Sequence, residues 1–179
     1  MRSLGRDVKK LVRETRGAEI AEAAAVLPLM FLILLGIFWF GQAFAIYGAI
    51  TRAAQDGARA GAAPSCTTCT ALSDPARAAN AVAATQAALT IAKLDYNLAR
   101  PPSPAPTFLS GCGPTTCDGG NGNFCVQTRV QLTDPATGTG VCGVSMSFQY
   151  PYQFWLPFAS LNKQRIWLSA SARVRLENQ

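Results

Sequence analysis

Histidine is absent from the 179-residue chain, and charged residues make up only 15% of it, against about a quarter in an average soluble domain. Without histidine there is no His-ligated zinc site, no Ser-His-Asp triad and no Cys-His nucleophile pair. No serine sits in a glycine-flanked nucleophile elbow. The shortage of charge is local, because no Asp, Glu, Lys or Arg occurs from Ala23 through Thr51. Hydrophobic residues amount to 49%, too many for a chain that stays disordered. The length leaves room for one ordinary domain and an anchor, not for two full domains.

The net charge of +6 comes in two lots. Arg2, Arg6, Lys9, Lys10, Arg13 and Arg16 precede the uncharged run and outnumber Asp7 and Glu14, while Glu19 and Glu22 stand at its edge. After Thr51 the basic residues are scattered and form no run. A nucleic-acid surface needs a basic stripe interleaved with stacking aromatics, and none is present, so no nucleic-acid partner is expected. A basic cluster immediately before a hydrophobic span follows the positive-inside pattern.

Ala23 to Ile50 reads AAAVLPLMFLILLGIFWFGQAFAIYGAI. A helix crossing the hydrocarbon core needs about 20 mostly apolar residues, so this stretch predicts a single transmembrane helix. Pro28 is expected to loosen or kink it, and Tyr47 suits the far interface. The charge bias places the N-terminus in the cytoplasm and everything after about Thr51 on the other side. Three fates stay open for this segment. It can remain as a signal anchor, or be cut at Ala43-Phe44-Ala45 as an ordinary secretory signal, though its apolar run exceeds the usual ~7–15 residues.

The third fate depends on Arg16-Gly17-Ala18-Glu19-Ile20-Ala21-Glu22-Ala23, where a glycine follows the basic segment and a glutamate stands at the lip of the span. A carboxylate inside the bilayer costs roughly 2.5–3.5 kcal/mol on insertion scales. One at the edge of an apolar helix therefore calls for a partner, or complements the positive end of the helix. Together with Gly41, Tyr47 and Ala53-Ala54-Gln55-Asp56-Gly57-Ala58-Arg59, this entrance resembles the TadE-like pseudopilins (minor pilins) of the tight-adherence (Flp) type IV pilus system. Tyr150-Pro151-Tyr152 through Pro157-Phe158, and then Ile166 to Glu177, resemble the closing strands of that family. The chain departs from the family pattern at Ala23, where a large apolar residue is common, and at Trp39 and Gln42, where a charged pair often flanks the Phe-Gly.

The resemblance implies that a prepilin peptidase cuts between Gly17 and Ala18 and leaves the hydrophobic helix attached. Glu22 then becomes the fifth residue of the mature chain and meets the free amino terminus of a neighbouring subunit. Such an α-amino group, with a pKa near 7.7–8.0, is mostly protonated, and two charges in an apolar bundle are tolerable only as a pair.

Downstream, Thr51 to Ala62 continues the helix, giving about 65–70 Å from Ala18 at ~1.5 Å per residue. Gly57 and Gly61 form a G-x-x-x-G pair that reads as ordinary small-residue packing. Ser73-Asp74-Pro75 predicts a capped helix start, with a second, Ala-rich helix to about Asn97 and Ala79, Val82, Leu89 and Leu94 among its buried residues. The proline run Arg100 to Pro106 reads as a stiff spacer, followed by a glycine-rich turn region, Gly111 to Asn123.

The period then becomes two. Phe124, Val126, Val130 and Leu132 are expected on one face of a strand, with Gln127, Arg129 and Gln131 on the other. Asp134 to Gly140 reads as a turn-like loop. Val144, Met146, Phe148 and Tyr150 alternate with Ser145, Ser147 and Gln149, and Ile166 to Leu176 alternate likewise. Three such strands predict an antiparallel sheet covered on one side. The expected class is α+β and pilin-like. Its expected parts are a basic leader 1–17, a transmembrane helix 18–50 and an exported domain 51–179, with helices 51–62 and 74–97, a linker 99–123 and strands within 124–177.

All six cysteines (Cys66, Cys69, Cys112, Cys117, Cys125, Cys142) follow the span. Placed in an oxidising compartment, they favour disulfides, with the connectivity left open. Two rival readings remain: a redox Cys66-x-x-Cys69, which lacks the usual βαβ context, and a four-cysteine zinc site adding Cys112 and Cys117. No metal or other cofactor and no enzymatic activity are expected. The leading function is a minor pilin-like subunit in the bacterial inner membrane, with a periplasmic C-terminal domain. Its partners would be the prepilin peptidase, other pilin subunits, the assembly machinery and the membrane. The alternative is a single-pass, membrane-anchored periplasmic binding or adhesion module that never enters a filament.

Overall fold

A computed structural model describes residues 4–64, 72–108, 112–113, 117, 122–133, 138–153 and 165–176, the side chains of 4–19 and 21 excepted. It divides into two compact units, Met1–Ala43 and Phe44–Gln179. Helix α1 (Leu4–Ala62) continues through Pro28 and stops two residues short of Pro64, the residue before a proline being disfavoured in helical geometry. Helix α2 (Asp74–Ile91) is followed by a 3-10 turn at Tyr96–Leu98. Strands β1 (Cys125–Thr133), β2 (Gly140–Gln153) and β3 (Arg165–Arg175) form one antiparallel sheet in the order β1-β2-β3. Two helices, the first long and apolar, followed by this small sheet make the fold α+β, as the sequence predicts.

In the Phe44–Gln179 unit the core lies between the helices and one face of the sheet. From α1 it receives Ile50, Ala53, Ala54, Ala58 and Ala62, a stripe at helical spacing. From α2 come Ala78, Ala81, Val82 and Leu89, and from β2 Val144, Met146, Phe148 and Tyr150. Phe124 and Phe148 meet edge to face, their ring centroids 5.3 Å apart, the geometry favoured by ring quadrupoles. Each large side chain buried here contributes about 1.5–3 kcal/mol.

Helix α2 departs from expectation at three points. Ser73 occupies the N-cap position but its side chain makes no capping bond. Asp74 instead pairs with Arg129 of β1, Nε to Oδ2 2.6 Å. The buried set is Arg77, Ala78, Ala81, Val82, Thr85 and Leu89, and Ala79 is exposed; in a helix this rich in alanine, composition does not reveal which face turns inward. The helix also ends at Ile91 rather than near Asn97. Lys93 adopts a left-handed φ of 58°, its N–H donates to the Thr90 carbonyl at 3.0 Å, and the Leu94 N–H donates to Leu89 at 2.9 Å. That is a Schellman stop with lysine where glycine is usual. Leu94, half-buried, then packs on the core.

The sheet corrects two further expectations. Its register shifts between Gln127 and Val130. Before the shift Val126 pairs with Met146, on the helix face; after it Val130 pairs with Gly143, on the opposite face. One extra residue reverses every later side chain. Val130 and Leu132 therefore leave the helix face that Phe124 and Val126 keep, and Arg129 turns toward α2 and Asp74.

The second face is also covered rather than open. Gln127, Ser145 and Ser147 are buried. Across them runs the proline segment, which is a strap rather than a free spacer. Gln127 Nε2 donates to the Pro106 carbonyl at 2.9 Å, the Arg173 guanidinium lies 4.7 Å from the Phe108 ring and that of Arg100 3.3 Å from Trp167. Arg100 also exchanges two backbone hydrogen bonds with Gln149 (3.0 and 2.8 Å), continuing the edge of β2 beyond the start of β1. Pro151, two residues on, points its missing N–H to the same edge, where a proline is tolerated.

The approach of α2 to α1 requires glycine. A Cβ on Gly57 would collide with Thr85 Oγ1 and lie 2.9 Å from the Ala81 carbonyl oxygen, whereas one on Gly48 would meet nothing within 4 Å. Gly57→Ala is therefore expected to destabilise the detergent-solubilised protein by about 1–3 kcal/mol, and Gly48→Ala to leave it unchanged or raise its stability by up to about 1 kcal/mol. Thermal unfolding followed by circular dichroism reads both, and equal effects of the two variants would contradict the close approach.

Candidate functional site

Two sets of residues carry the candidate chemistry: the acidic entrance to the apolar part of α1, and the cysteines. Gly17 and Ala18 lie within the helical backbone of α1. Glu22 is exposed and heads Glu22–Ala62, a segment long and apolar enough to cross a membrane. Most of the large apolar side chains that follow, Val26, Leu27, Leu29, Met30, Phe31 and Leu32 among them, are exposed as well. In water such a surface would cost about 25 cal/mol for every Å² left uncovered, so this stretch needs an apolar surrounding.

Farther along α1 the residues Ala53 to Arg59 divide cleanly. Ala53, Ala54, Gly57 and Ala58 are buried, and Gln55, Asp56 and Arg59 are exposed. The small residues form the seam against which α2 lies. Thr85 Oγ1 donates to the Ala81 carbonyl at 2.8 Å and reaches the Ala53 carbonyl at 3.4 Å. Arg77, although buried, spends its charge on backbone: Nη1 donates to the Gly61 carbonyl (3.3 Å) and Nε to that of Leu72 (3.1 Å). A cation at the last turn of α1 suits the negative end of the helix dipole. Sequence reasoning missed Arg77, because a lone arginine in an alanine-rich helix reads as a solvated residue.

The spacing of the motif is thus explained by packing, and it coincides with a family. A sequence model of the family described as TadE-like protein matches residues 17–59. That stretch of α1 is similar to the TadE-like family. The match opens at Gly17 and takes in Glu22, the apolar span and the seam through Arg59. No curated protein and no solved structure matches the chain. The TadE-like family is structural rather than enzymatic. The match and the long apolar helix together fit a membrane-anchored protein.

Of the six cysteines, Cys66 and Cys69 lie outside the described residues. Cys112 is bonded to Cys142 and Cys117 to Cys125, with Cα atoms 5.7 and 4.8 Å apart, both within ordinary disulfide reach. Cys112 and Cys117 are thereby engaged with the sheet rather than with Cys66 and Cys69. The two bonds fasten the loop before β1 to both strands of the β1-β2 pair. In the core, burial pushes the Tyr150 phenol above its ordinary range; the Asp95 backbone amide opposes that shift and the Asp95 carboxylate adds to it.

The two bridges close loops of different size, with sequence separations of 30 and 8. Chain entropy assigns about 3–4 kcal/mol to the larger and about 2–3 kcal/mol to the smaller. Replacing Cys112 and Cys142 by serine is expected to lower the denaturant midpoint more than replacing Cys117 and Cys125. Urea titrations of the two double variants provide the comparison, and a reversed order would contradict the entropic ranking.

Proposed function

We propose that the protein is a minor pilin-like subunit for assembly of a tight-adherence pilus. Its N-terminal hydrophobic helix is inserted into the assembly after a prepilin peptidase removes the leader Met1–Gly17. The TadE-like match across Gly17, Glu22 and the apolar span carries this reading. In it, residues 1–17 form the cytoplasmic leader, 18–50 the transmembrane helix and 51–179 the exported domain. The six basic residues of the leader hold the N-terminus on the cytoplasmic side of the bacterial inner membrane. The disulfides Cys112–Cys142 and Cys117–Cys125 agree with an oxidising periplasm for the remainder.

Glu22 serves as the register group. Cleavage after Gly17 makes Ala18 the new amino terminus, and its ammonium on one subunit pairs with the Glu22 carboxylate of the next. An unpaired carboxylate in hydrocarbon costs several kcal/mol, so neighbouring helices slide until the two charges meet. The partners are the peptidase, other pilin and pseudopilin subunits, the assembly machinery and the membrane.

Intact mass and N-terminal sequencing of the protein from its native membrane test the processing step. A chain starting at Ala18 is expected; one starting at Ile46 or an uncut Met1 would overturn it. Gly17→Leu is expected to leave the precursor uncut. Glu22→Ala is expected to be cut normally yet to reduce piliation to the level of a strain lacking the protein. Wild-type piliation in that strain would remove Glu22 from the mechanism.

A further inference from the structure

Beside the core of the Phe44–Gln179 unit lies an apolar groove of about 760 Å³ between α1 and α2. Phe44, Gly48 and Ala49 form one wall, and Ala88, Ile91 and Ala92 the other. Its rim carries the most exposed large apolar side chain of α2, Ile91 at 84%, facing Phe44 at 71%, with Tyr47 nearby on α1 at 49%. Arg52 and Asp56 line the groove as well, and exposed Lys93 stands two residues after Ile91. None of these residues belongs to the leader, to the Glu22 entrance or to the disulfides.

The antiparallel register of the two helices sets the level of this rim. Arg77 bonds the Gly61 carbonyl and Thr85 reaches that of Ala53, so eight residues forward on α2 correspond to eight residues back on α1. Continued at the same rise to the end of α2, Ala88 comes level with Ile50 and Ile91 with Tyr47. These α1 positions close the charge-free run that begins at Ala23. At ~1.5 Å per residue the run to Ile50 extends about 42 Å, whereas the hydrocarbon core takes about 30 Å and the bilayer with its headgroups about 40–45 Å. The surplus, from about Ala43 onward, lies in the headgroup layer where the helix leaves the membrane. The end of α2 is held at that same depth.

We propose that this groove and the C-terminal turn of α2 are a lipid-contacting surface. Ile91 enters the interfacial layer of the leaflet from which α1 emerges, at the level of Tyr47, and Lys93 and Arg52 meet its phosphates. The inference rests on the membrane-anchored reading of α1. Its occupant follows from continuity: the groove opens beside the last turns of the apolar span, and an apolar floor with charged residues only at its rim matches the layered chemistry of a phospholipid leaflet. The protein thus contacts the membrane at a second element besides α1.

Tryptophan quenching tests this. In a background of Trp39→Phe, Trp155→Phe and Trp167→Phe, the full chain carrying Ile91→Trp is reconstituted into phosphatidylcholine–phosphatidylglycerol vesicles, with the phosphatidylcholine acyl chains brominated near the headgroup or left unbrominated. Expected is the loss of most of the emission in brominated vesicles, with little quenching by aqueous iodide. Asn80→Trp, an exposed site near the other end of α2, is expected to show the reverse. A chain keeping only Trp39 reports insertion of the span. Ile91→Trp unaffected by bromine but quenched by iodide would place the groove in water and overturn the proposal. Protection from both quenchers would mean that a polypeptide fills the groove, and would overturn it equally. Loss of bromine quenching at Trp39 would overturn the anchored reading itself, and the proposal with it.

Discussion

Gly57 and Gly61 stand one turn apart on α1, and α2 comes against them so closely that a Cβ on Gly57 would collide with Thr85 and one on Gly61 would lie only 3.1–3.2 Å from Ala81, Val144 and the Arg77 carbonyl. The rest of the Phe44–Gln179 unit is built on that approach. Because α2 lies low, Ala81 and Thr85 reach α1 while Met146 and Val144 reach the same glycines from the sheet. A helix face made only of Ala and Gly buries little apolar area per residue, so its stabilisation comes from contact density rather than from large side chains. The bulk that the helices lack is supplied by Phe124, Phe148, Met146 and Leu89.

The sheet answers to the same economy of material. Three strands with one open face are near the lower limit for an independent fold. Here the second face is closed by the strap from Arg100 to Phe108, and the loop before β1 is fastened to the sheet by two disulfides. The bulge after Gln127 makes both covers useful. It sends Val130 and Leu132 to the strap side and Arg129 to the helix side, where Asp74 at the start of α2 receives it. A polar residue inside the alternation is thereby converted into a tie between layers.

Taken along the chain, the segment similar to the TadE-like family joins two kinds of surface. Before Phe44 most of the large side chains of α1 are exposed and need an apolar medium; from Ile50 onward Ala53, Ala54, Gly57, Ala58, Gly61 and Ala62 are buried against protein. One helix therefore presents an exposed apolar surface in its first part and packs against the core in its last. The change occurs where the sequence passes from Leu, Ile and Phe to Ala and Gly.

The sequence by itself determined the apolar span, the charge asymmetry around it, the acidic entrance at Glu22, the α+β class and the order of its elements. Each of these depends on composition or on a period within one segment, and such signals survive without knowledge of any neighbour. Only the tertiary structure decided that Ala78 rather than Ala79 turns inward, that Lys93 ends α2, that a bulge reverses the second half of β1, and that a proline run covers a sheet face. It also decided that Cys112 joins Cys142 and Cys117 joins Cys125. In an alanine-rich helix every face is equally apolar, and a bulge or a cysteine pairing is chosen by which strand lies opposite. Those choices belong to contacts between segments distant in the chain, which local pattern does not encode.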